Sequence, residues 1–412
     1  MEKEEDALEP VSPTGQYFNS LALNLSVLGV LETEVPIDDS KTIPLVRDVF
    51  LPINPRFSSI MLIDENGEKR WKKVEVKLKD HVYIPIFPEE MSPQFYDDYF
   101  EDYLSKLSTL QLPQSQPLWE IHLIKYPTSN AAGTVIFKIH HAIGDGYSLM
   151  GALLSCLQRA DNPSLPLTFP SVQPRVDTSG DHRTIWLLLN FKYYLTINDV
   201  ITGSIFLGTR LYMQEMSKGS SDHSNCTALV LLNTRMFRSY QSIQEMVKPK
   251  AESPWGNHFA FLHVQLPELV ASTELNPIEF VRKAQQIIKR KRSSLAVYLT
   301  AAFVEIVKKL KGHEVAAQCI HKTLLNASMA ITNMIGPVEK MSLANHPIKG
   351  MYFAVFGNPQ SLTITIVSYM DELRVTVGAE KGFIDVQKLK SYIEEAFQMI
   401  LKSAACEIQQ MQ

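Results

Sequence analysis

The pattern of apolar and polar positions switches repeatedly between a period of two and a period near 3.6, so strands and helices should intermingle throughout the chain. Residues 21–31 predict a first strand, and 58–62 a second that follows turn chemistry beginning at Pro52. Asn66-Gly67, set between the apolar runs 60–63 and 71–74, is a hairpin signal because both residues tolerate the φ angles of a tight turn. Phe95, Tyr99, Phe100, Tyr103, Leu104 and Leu107 recur at helical spacing behind a Ser92-Pro93 start, and 117–124 reads as a strand leaving a turn. The clearest strand is 133–141. It places Val135, Phe137, Ile139 and His141 on one face and Ile136, Lys138 and His140 on the other. A tight turn, Gly144-Asp145-Gly146, follows, and then an apolar helix over about 148–159.

Residues 161–179 shift to Pro, Ser and Thr, with Pro163, Pro166, Pro170 and Pro174, which is the chemistry of an extended linker. Beyond it the mixed pattern returns. A helix is expected at 198–212, strands at 227–233, 257–266 and 330–335, and a long basic helix from Asn276-Pro277 to about Ser293. The uncharged stretch 350–370 reads as a loop followed by a strand. Residues 361–369 and 373–377 form a hairpin around Met370-Asp371-Glu372. Asp385 should cap a last helix whose stripe is Leu389, Ile393, Ala396, Phe397 and Ile400. The fold class is therefore α/β (mixed α+β) in two halves. The expected division is 1–162, a linker or shortened crossover at 163–195, and 196–412.

Composition narrows the function classes. The 412 residues are 45% hydrophobic and 20% charged, which excludes a disordered chain. A net charge of −4 supplies no global field for nucleic acid, which is not an expected partner. Cys156, Cys226, Cys319 and Cys406 lie far apart and read as free thiols. Residues 1–6 are acidic, unlike a signal or transit peptide, and no run approaches the ~20 apolar residues of a membrane span.

The chemistry concentrates in His140-His141-Ala142-Ile143-Gly144-Asp145-Gly146. An imidazole at a strand end can take a proton from an alcohol, amine or thiol. Asp145 is placed to fix the turn or pair with a cation, and Gly144 and Gly146 let the chain turn sharply beside a ligand. His140 faces away from His141 and cannot act equally on one substrate. A metal site fits poorly, since adjacent strand residues point apart and no third ligand has suitable spacing. A purely structural turn remains the bland alternative.

This heptapeptide resembles the His-His-x-x-x-Asp-Gly motif of the superfamily that includes chloramphenicol acetyltransferase, plant acyl-CoA-dependent acyltransferases and peptide-synthetase condensation domains. Further motifs narrow the resemblance to plant wax ester synthase/diacylglycerol acyltransferases. They run in order from Pro117-Leu118-Trp119-Glu120 through Asn198-Asp199-Val200, Asn233-Thr234-Arg235, Gly256-Asn257 and Asn333-x-x-Gly336-Pro337 to His346-Pro347-Ile348 and Ser368-Tyr369. The resemblance implies two chloramphenicol-acetyltransferase-like halves around an active-site channel. It also implies transfer of a fatty acyl group from acyl-CoA, a co-substrate with no separate cofactor or metal, to a fatty alcohol or diacylglycerol. His141 would be the general base, with His140 and Asp145 in structural support and Gly146 keeping the turn open. Asn198, Asp199, Arg235 and Asn333 are the candidate substrate-binding residues. Asn198 and Asp199 either line the channel floor or cap a helix. Arg235 either pairs with Asp145 across the halves or is an exposed strand arginine.

The family also implies a peripheral site on the cytosolic side of the endoplasmic reticulum membrane, or the plasma membrane. Attachment would run through the apolar run 185–191 or the basic run Lys289-Arg290-Lys291-Arg292, which otherwise meets CoA phosphates or is a solvated face. The interval before Asn198 is shorter than in the family. That motivates a second expectation, a catalytically impaired lipid- or acyl-CoA-binding relative.

Overall fold

The strongest strand signal forms as expected. In the computed structural model of the chain, β7 spans Gly133–His140 and all of its residues are buried. The structure describes residues 9–411 except 66, 166, 168–193, 218–224, 236–242, 249–250, 252–253, 270–275, 295–302 and 304–305. The apolar run 185–191 therefore lies outside the described residues.

Strand β7 is central because every residue is covered on both sides. It pairs antiparallel with β6 (Trp119–Ile124) and with β2 (Ser26–Thr33). The seven-stranded sheet runs β5 (Val82–Tyr83), β6, β7, β2, β13 (His346–Phe356), β12 (Met341–Leu343), β8 (Leu157–Arg159). A second sheet of five strands runs β10 (Phe259–Gln265), β9 (Thr227–Asn233), β11 (Met329–Ile335), β14 (Leu362–Tyr369), β15 (Glu372–Ala379). A small third sheet joins β1 (Glu9–Pro10), β4 (Lys69–Lys73) and β3 (Ser59–Ile63). The hairpin of β3 and β4 encloses Gly67 at φ 78°, the left-handed value that favours glycine.

Helices cover these sheets. Among those in the described residues are α1 (Pro13–Phe18), α2 (Pro93–Thr109), α3 (Gly146–Cys156), α4 (Ile197–Met216), α5 (Pro277–Arg292), α6 (His313–Leu324) and α7 (Val386–Met411). Their starts follow capping rules. Ser92 Oγ accepts from Phe95 N, Asn276 Oδ1 from Glu279 N, and Asp385 Oδ1 from Lys388 N. Leu389, Ile393, Ala396 and Ile400 of α7 are buried against the second sheet's core. Among the described residues, no helix is long and apolar enough to cross a membrane.

Three local expectations change. The strand expected from residue 21 is the second, after β1, and starts at Ser26, because Ser20 and Leu23 close a turn through backbone and Oγ bonds that leaves Leu21 fully exposed. The helix after the glycine turn ends at Cys156. Residues Leu157–Arg159 pair instead with β12, and that backbone pairing outweighs the helical pattern. The stretch expected to be a loop before a strand contains most of β13, which pairs with β2 along nearly its whole length. Gly357, with φ 86°, turns between β13 and β14; a side chain there would collide with the Asn24 carbonyl. Strands β12 and β13 thus complete the first sheet although they follow residue 196, so the sheets do not part where the linker falls.

The first core closes around Trp119, which is fully buried, donates Nε1–H to Phe57 O at 2.8 Å and packs edge-on against Phe50. Trp119 faces Ile139 across the β6–β7 ladder, two residues before His141. Trp119→Ala should lower unfolding free energy by about 3–5 kcal/mol. Urea denaturation checks this, and an unchanged midpoint would show that the core closes without the indole.

Candidate active site

Alternation along β7 puts Phe137, Ile139 and His141 on the side that faces a cavity of about 820 Å³. That volume lies within the usual range for sites that enclose a small molecule. The cavity lies between the two sheets. Val27 and Leu31 of β2 line one wall, Leu231 and Phe259 of β9 and β10 the other, and the lining is mostly apolar.

His141 follows β7 directly and is tied to the start of β2 by its N–H, which donates to Leu25 O at 2.8 Å. Its ring lies within 5.1 Å of Phe18 and 5.5 Å of Phe259, which stack on each other. Asn257 fixes the tautomer. Its Nδ2 donates to the His141 carbonyl at 2.8 Å, and its Oδ1 lies 2.9 Å from His141 Nδ1. A carbonyl only accepts, so the amide NH2 must face it and the amide oxygen must face the ring. Nδ1 therefore carries the proton and donates, leaving the lone pair on Nε2. Burial pushes the His141 pKa down, against the opposing pull of Asp145 and Asn257. The ring is neutral at neutral pH and basic at Nε2.

Asp145 does not reach His141 as a relay, because its oxygens are taken elsewhere. As N-cap of α3 it accepts from Ser148 N at 3.0 Å. It also accepts from His258 N at 2.9 Å and from both terminal nitrogens of Arg235, Nη2 at 3.0 Å and Nη1 closer still. The pair is bidentate and nearly inaccessible to solvent. Arg235 also donates to Ser148 Oγ and to Gly256 O, and lies over the Tyr147 ring. Gly256 adopts φ 135°, and its carbonyl further accepts from Asp145 N and Ser148 Oγ. Of the two sequence readings for Arg235, the structure has the ion pair across the halves.

His140 points away from the cavity, is fully buried, and accepts Ala142 N–H on Nδ1 at 3.1 Å, which closes the turn. Neither Gly144 nor Gly146 needs a positive φ, so the expected conformational role is replaced by a steric one. A Cβ on Gly146 would meet Met334 Sδ at 2.5 Å, and one on Gly144 would press on Ser148 and the Trp255 indole.

The remaining candidates separate. Asn333 lines the cavity and donates Nδ2–H to Asn198 Oδ1 at 2.7 Å. Asn198 is exposed at the start of α4, outside the cavity lining. Asp199 completes a capping box with Thr196 and accepts from Gln285 Nε2 at 2.8 Å, so the helix-cap reading holds for it and the channel-floor reading does not. Asn257, Ser148 and the Gly256 carbonyl have site contacts that the residue pattern did not assign. Gly256-Asn257 stood out only as a motif, since nothing local reveals that a loop over a hundred residues away meets His141.

Two outcomes follow from this geometry. Asp145→Asn leaves Arg235 charged and buried without its anion, and should cost about 3–5 kcal/mol in urea unfolding. Combining Asp145→Leu with Arg235→Met should recover part of that loss, and strict additivity of the single changes would refute the coupling. His140 titrates near 6.5 when free, and burial, followed by neighbouring His141 and Lys69, holds it at about 3. The unfolded chain then binds a proton that the folded chain refuses. Stability from the neutral ring is complete above about pH 6.5 and falls as pH drops toward 3. Denaturation midpoints across that window should fall less steeply for His140→Gln than for the parent, and parallel curves would remove His140 as the source.

Residues 65–210 match the family model described as the wax ester synthase/diacylglycerol acyltransferase catalytic domain, and residues 255–401 match the WS/DGAT C-terminal domain. Wax ester synthase/diacylglycerol acyltransferase 4 of Arabidopsis thaliana is 29% identical, with 97% of this chain and 90% of that protein covered. Wax ester synthase/diacylglycerol acyltransferase 11 of the same organism is 28% identical over 97% and 96%. The first alignment spans 482 positions against a chain of 412 residues, so at least 70 of its positions have no residue here. In fold, the chain is similar to the wax ester synthase/diacylglycerol acyltransferase from Marinobacter aquaeolei VT8, with TM-score 0.61, 17% identity and 96% and 99% of the two chains covered. It is also similar to the first condensation domain of the CDA synthetase, with TM-score 0.56 and 11% identity over 97% of each chain. The fold is the two-lobed, chloramphenicol-acetyltransferase-like one that the motif implied, and the chain belongs to the wax ester synthase/diacylglycerol acyltransferase family and is an acyltransferase.

Proposed function

We propose that this protein transfers a fatty acyl group from acyl-CoA to a long-chain alcohol, making a wax ester, and to diacylglycerol, making triacylglycerol. The supporting observation is a neutral imidazole, held through Nδ1 by Asn257, at the wall of a large and mostly apolar cavity. In this reading, Nε2 of His141 takes the acceptor hydroxyl proton as the oxygen attacks the thioester carbonyl. The tetrahedral oxyanion collapses and expels the CoA thiolate, which recovers the proton from the imidazolium. No acyl-enzyme is required, because holding both substrates beside the base supplies proximity as well as proton transfer. Asp145 and Arg235 keep the turn in place without touching the proton. Asn333 and Arg235 border the space the substrates would occupy.

An apolar cavity favours alkyl chains over small polar acceptors, since each buried methylene contributes roughly 0.8 kcal/mol. The site of action that fits such substrates is the cytosolic face of the endoplasmic reticulum membrane or the plasma membrane. The competing idea of an impaired lipid-binding relative loses its motivation at the site itself, where the contacts to His141 and Asp145 are all made.

Purified protein given labelled palmitoyl-CoA and hexadecanol should form palmityl palmitate, and His141→Ala should reduce kcat by about 10²–10⁴-fold. Absence of product from the parent, or unchanged turnover in the variant, would reject this function. Because the His141 pKa is pushed below the ordinary imidazole value, kcat/KM should be flat across pH 7–8 and decline only under more acid conditions. An acid limb centred above pH 6.5 would assign the base elsewhere.

A further inference from the structure

The inward row of β7 continues past the base. His141, Ile139 and Phe137 line the large cavity, and Val135, the next residue on that face, lines a separate cavity of about 20 Å³. At roughly 3.4 Å per residue, Phe137 stands about 13 Å from His141 along the strand, and Val135 about 20 Å. Phe50 and Phe137 are on the wall of both cavities, so their rings form the partition between them. Both side chains are buried, with ring centroids 6.2 Å apart, and Phe57 at 4.3 Å and Trp119 at 4.9 Å hold the Phe50 ring in place. Phe50 comes from a short helix over residues 42–53 whose middle turn, Val46–Phe50, is widened. There Leu51 N–H donates to Val46 O, five residues back instead of four. Such wide turns are uncommon and recur at functional sites. Thr42, Leu45 and Val46 of the same helix line the far side of the partition.

A void of about 20 Å³ takes little more than one water-sized group. Its walls are mostly apolar, with Ile37, Ile121, Leu123 and Leu343 beside Val135. Packed interiors leave few such voids. This one lies in line with the cavity that begins at the base, closed off by two phenyl rings. An alkyl chain whose reacting end is at His141 has the apolar row of β7 beside it and meets those rings at its methyl end. We propose that Phe50 and Phe137 are the chain-length stop of this enzyme, and that the small cavity behind them is space a longer chain fills once the rings are trimmed. The inference rests on the fatty-chain reading proposed above. Acyl and alcohol chains share the chemistry that these walls recognise, and the test assigns which of the two lies along β7.

Saturated acyl-CoAs from lauroyl to behenoyl, each paired with hexadecanol, give one length profile. Saturated alcohols over the same range, each paired with palmitoyl-CoA, give the other. In the parent, kcat/KM for one series should climb by up to about fourfold per added methylene and then break downward. Phe50→Leu should move that break to longer chains and raise the long-to-short ratio of kcat/KM by roughly fourfold, the worth of one buried methylene. Phe50→Ala should raise it by roughly tenfold or more. Phe57→Leu is the control, because its ring packs on Phe50 but lines neither cavity, and the break should stay where it is. Circular dichroism and the melting temperature verify folding, and Phe50→Leu decides the matter where Phe50→Ala does not fold. A chain of the responding series that carries a diazirine at its methyl end should crosslink to Phe50 or Phe137 in the parent. In Phe50→Leu it should also reach Val135 or Cys156. An unmoved break in folded Phe50→Leu, an equal shift in Phe57→Leu, or parent crosslinks confined to β11 and β14 would overturn the proposal. A parent that crosslinks at Phe50 but transfers no acyl group would refute the proposed function and leave the stop standing as a feature of chain binding.

Discussion

The site depends on one buried ion pair. Asp145 caps α3 in the first half of the chain, and Arg235 follows β9 in the second. Neither charge would survive so far from water alone, because desolvation of a lone carboxylate or guanidinium costs several kcal/mol. Together, with Ser148, His258 N–H and the Gly256 carbonyl adding hydrogen bonds, they neutralise each other only when the two halves meet in one register, while Arg235 Nε finds no partner among the described residues. The segment Trp255-Gly256-Asn257-His258 is consequently pinned against the turn. Trp255 Nε1 donates to Ile143 O at 2.7 Å, and Asn257 reaches His141 from the same pinned loop. The ion pair thereby sets the position of the His141 ring without a hydrogen bond to it.

The same enclosure sets the chemistry. Removing water lowers the His141 pKa, which makes the imidazole a weaker base but keeps it unprotonated. For a reaction at neutral pH this balance is favourable, since a ring titrating much higher would spend most of its time as imidazolium. The dry walls would also strengthen any dipole aimed at an oxyanion in the proposed reaction and keep bulk water from the proposed thioester. Burial of His140 is the accompanying cost. Its ring closes the turn through Ala142 N–H, while Nε2 finds no partner among the described residues. A neutral His140 also places no second positive charge beside His141.

What could be read from the sequence was local or marked by a motif. The β7 alternation, the β3–β4 hairpin, the Ser92, Asn276 and Asp385 caps, and the orientation of His141 against His140 all follow from neighbours within a few residues. The failures share a cause in distant backbone. Leu157–Arg159 carries a helical pattern but finds an open strand edge at β12. Strand β13 hides in a stretch whose Gly357, Asn358 and Pro359 suggested a loop, and becomes a strand because β2 offers a full antiparallel partner. Asn257 was invisible as an orienting residue for the same reason. Its contact exists only once the chain has folded back across a sequence separation of 116.

The chain's shortness relative to its family can be weighed against this arrangement. At least 70 alignment positions of one relative have no residue here, and the interval before α4 was where the sequence looked compressed. Yet the contacts that hold His141 and Asp145 come from β2, the β7–α3 turn, Arg235 and the 255–258 loop, all of them within the described residues. The cavity walls likewise come from β2, β7, α3, β9, β10, β11 and β13. Among the described residues, none of these contacts to His141 and Asp145 comes from the interval between α3 and α4.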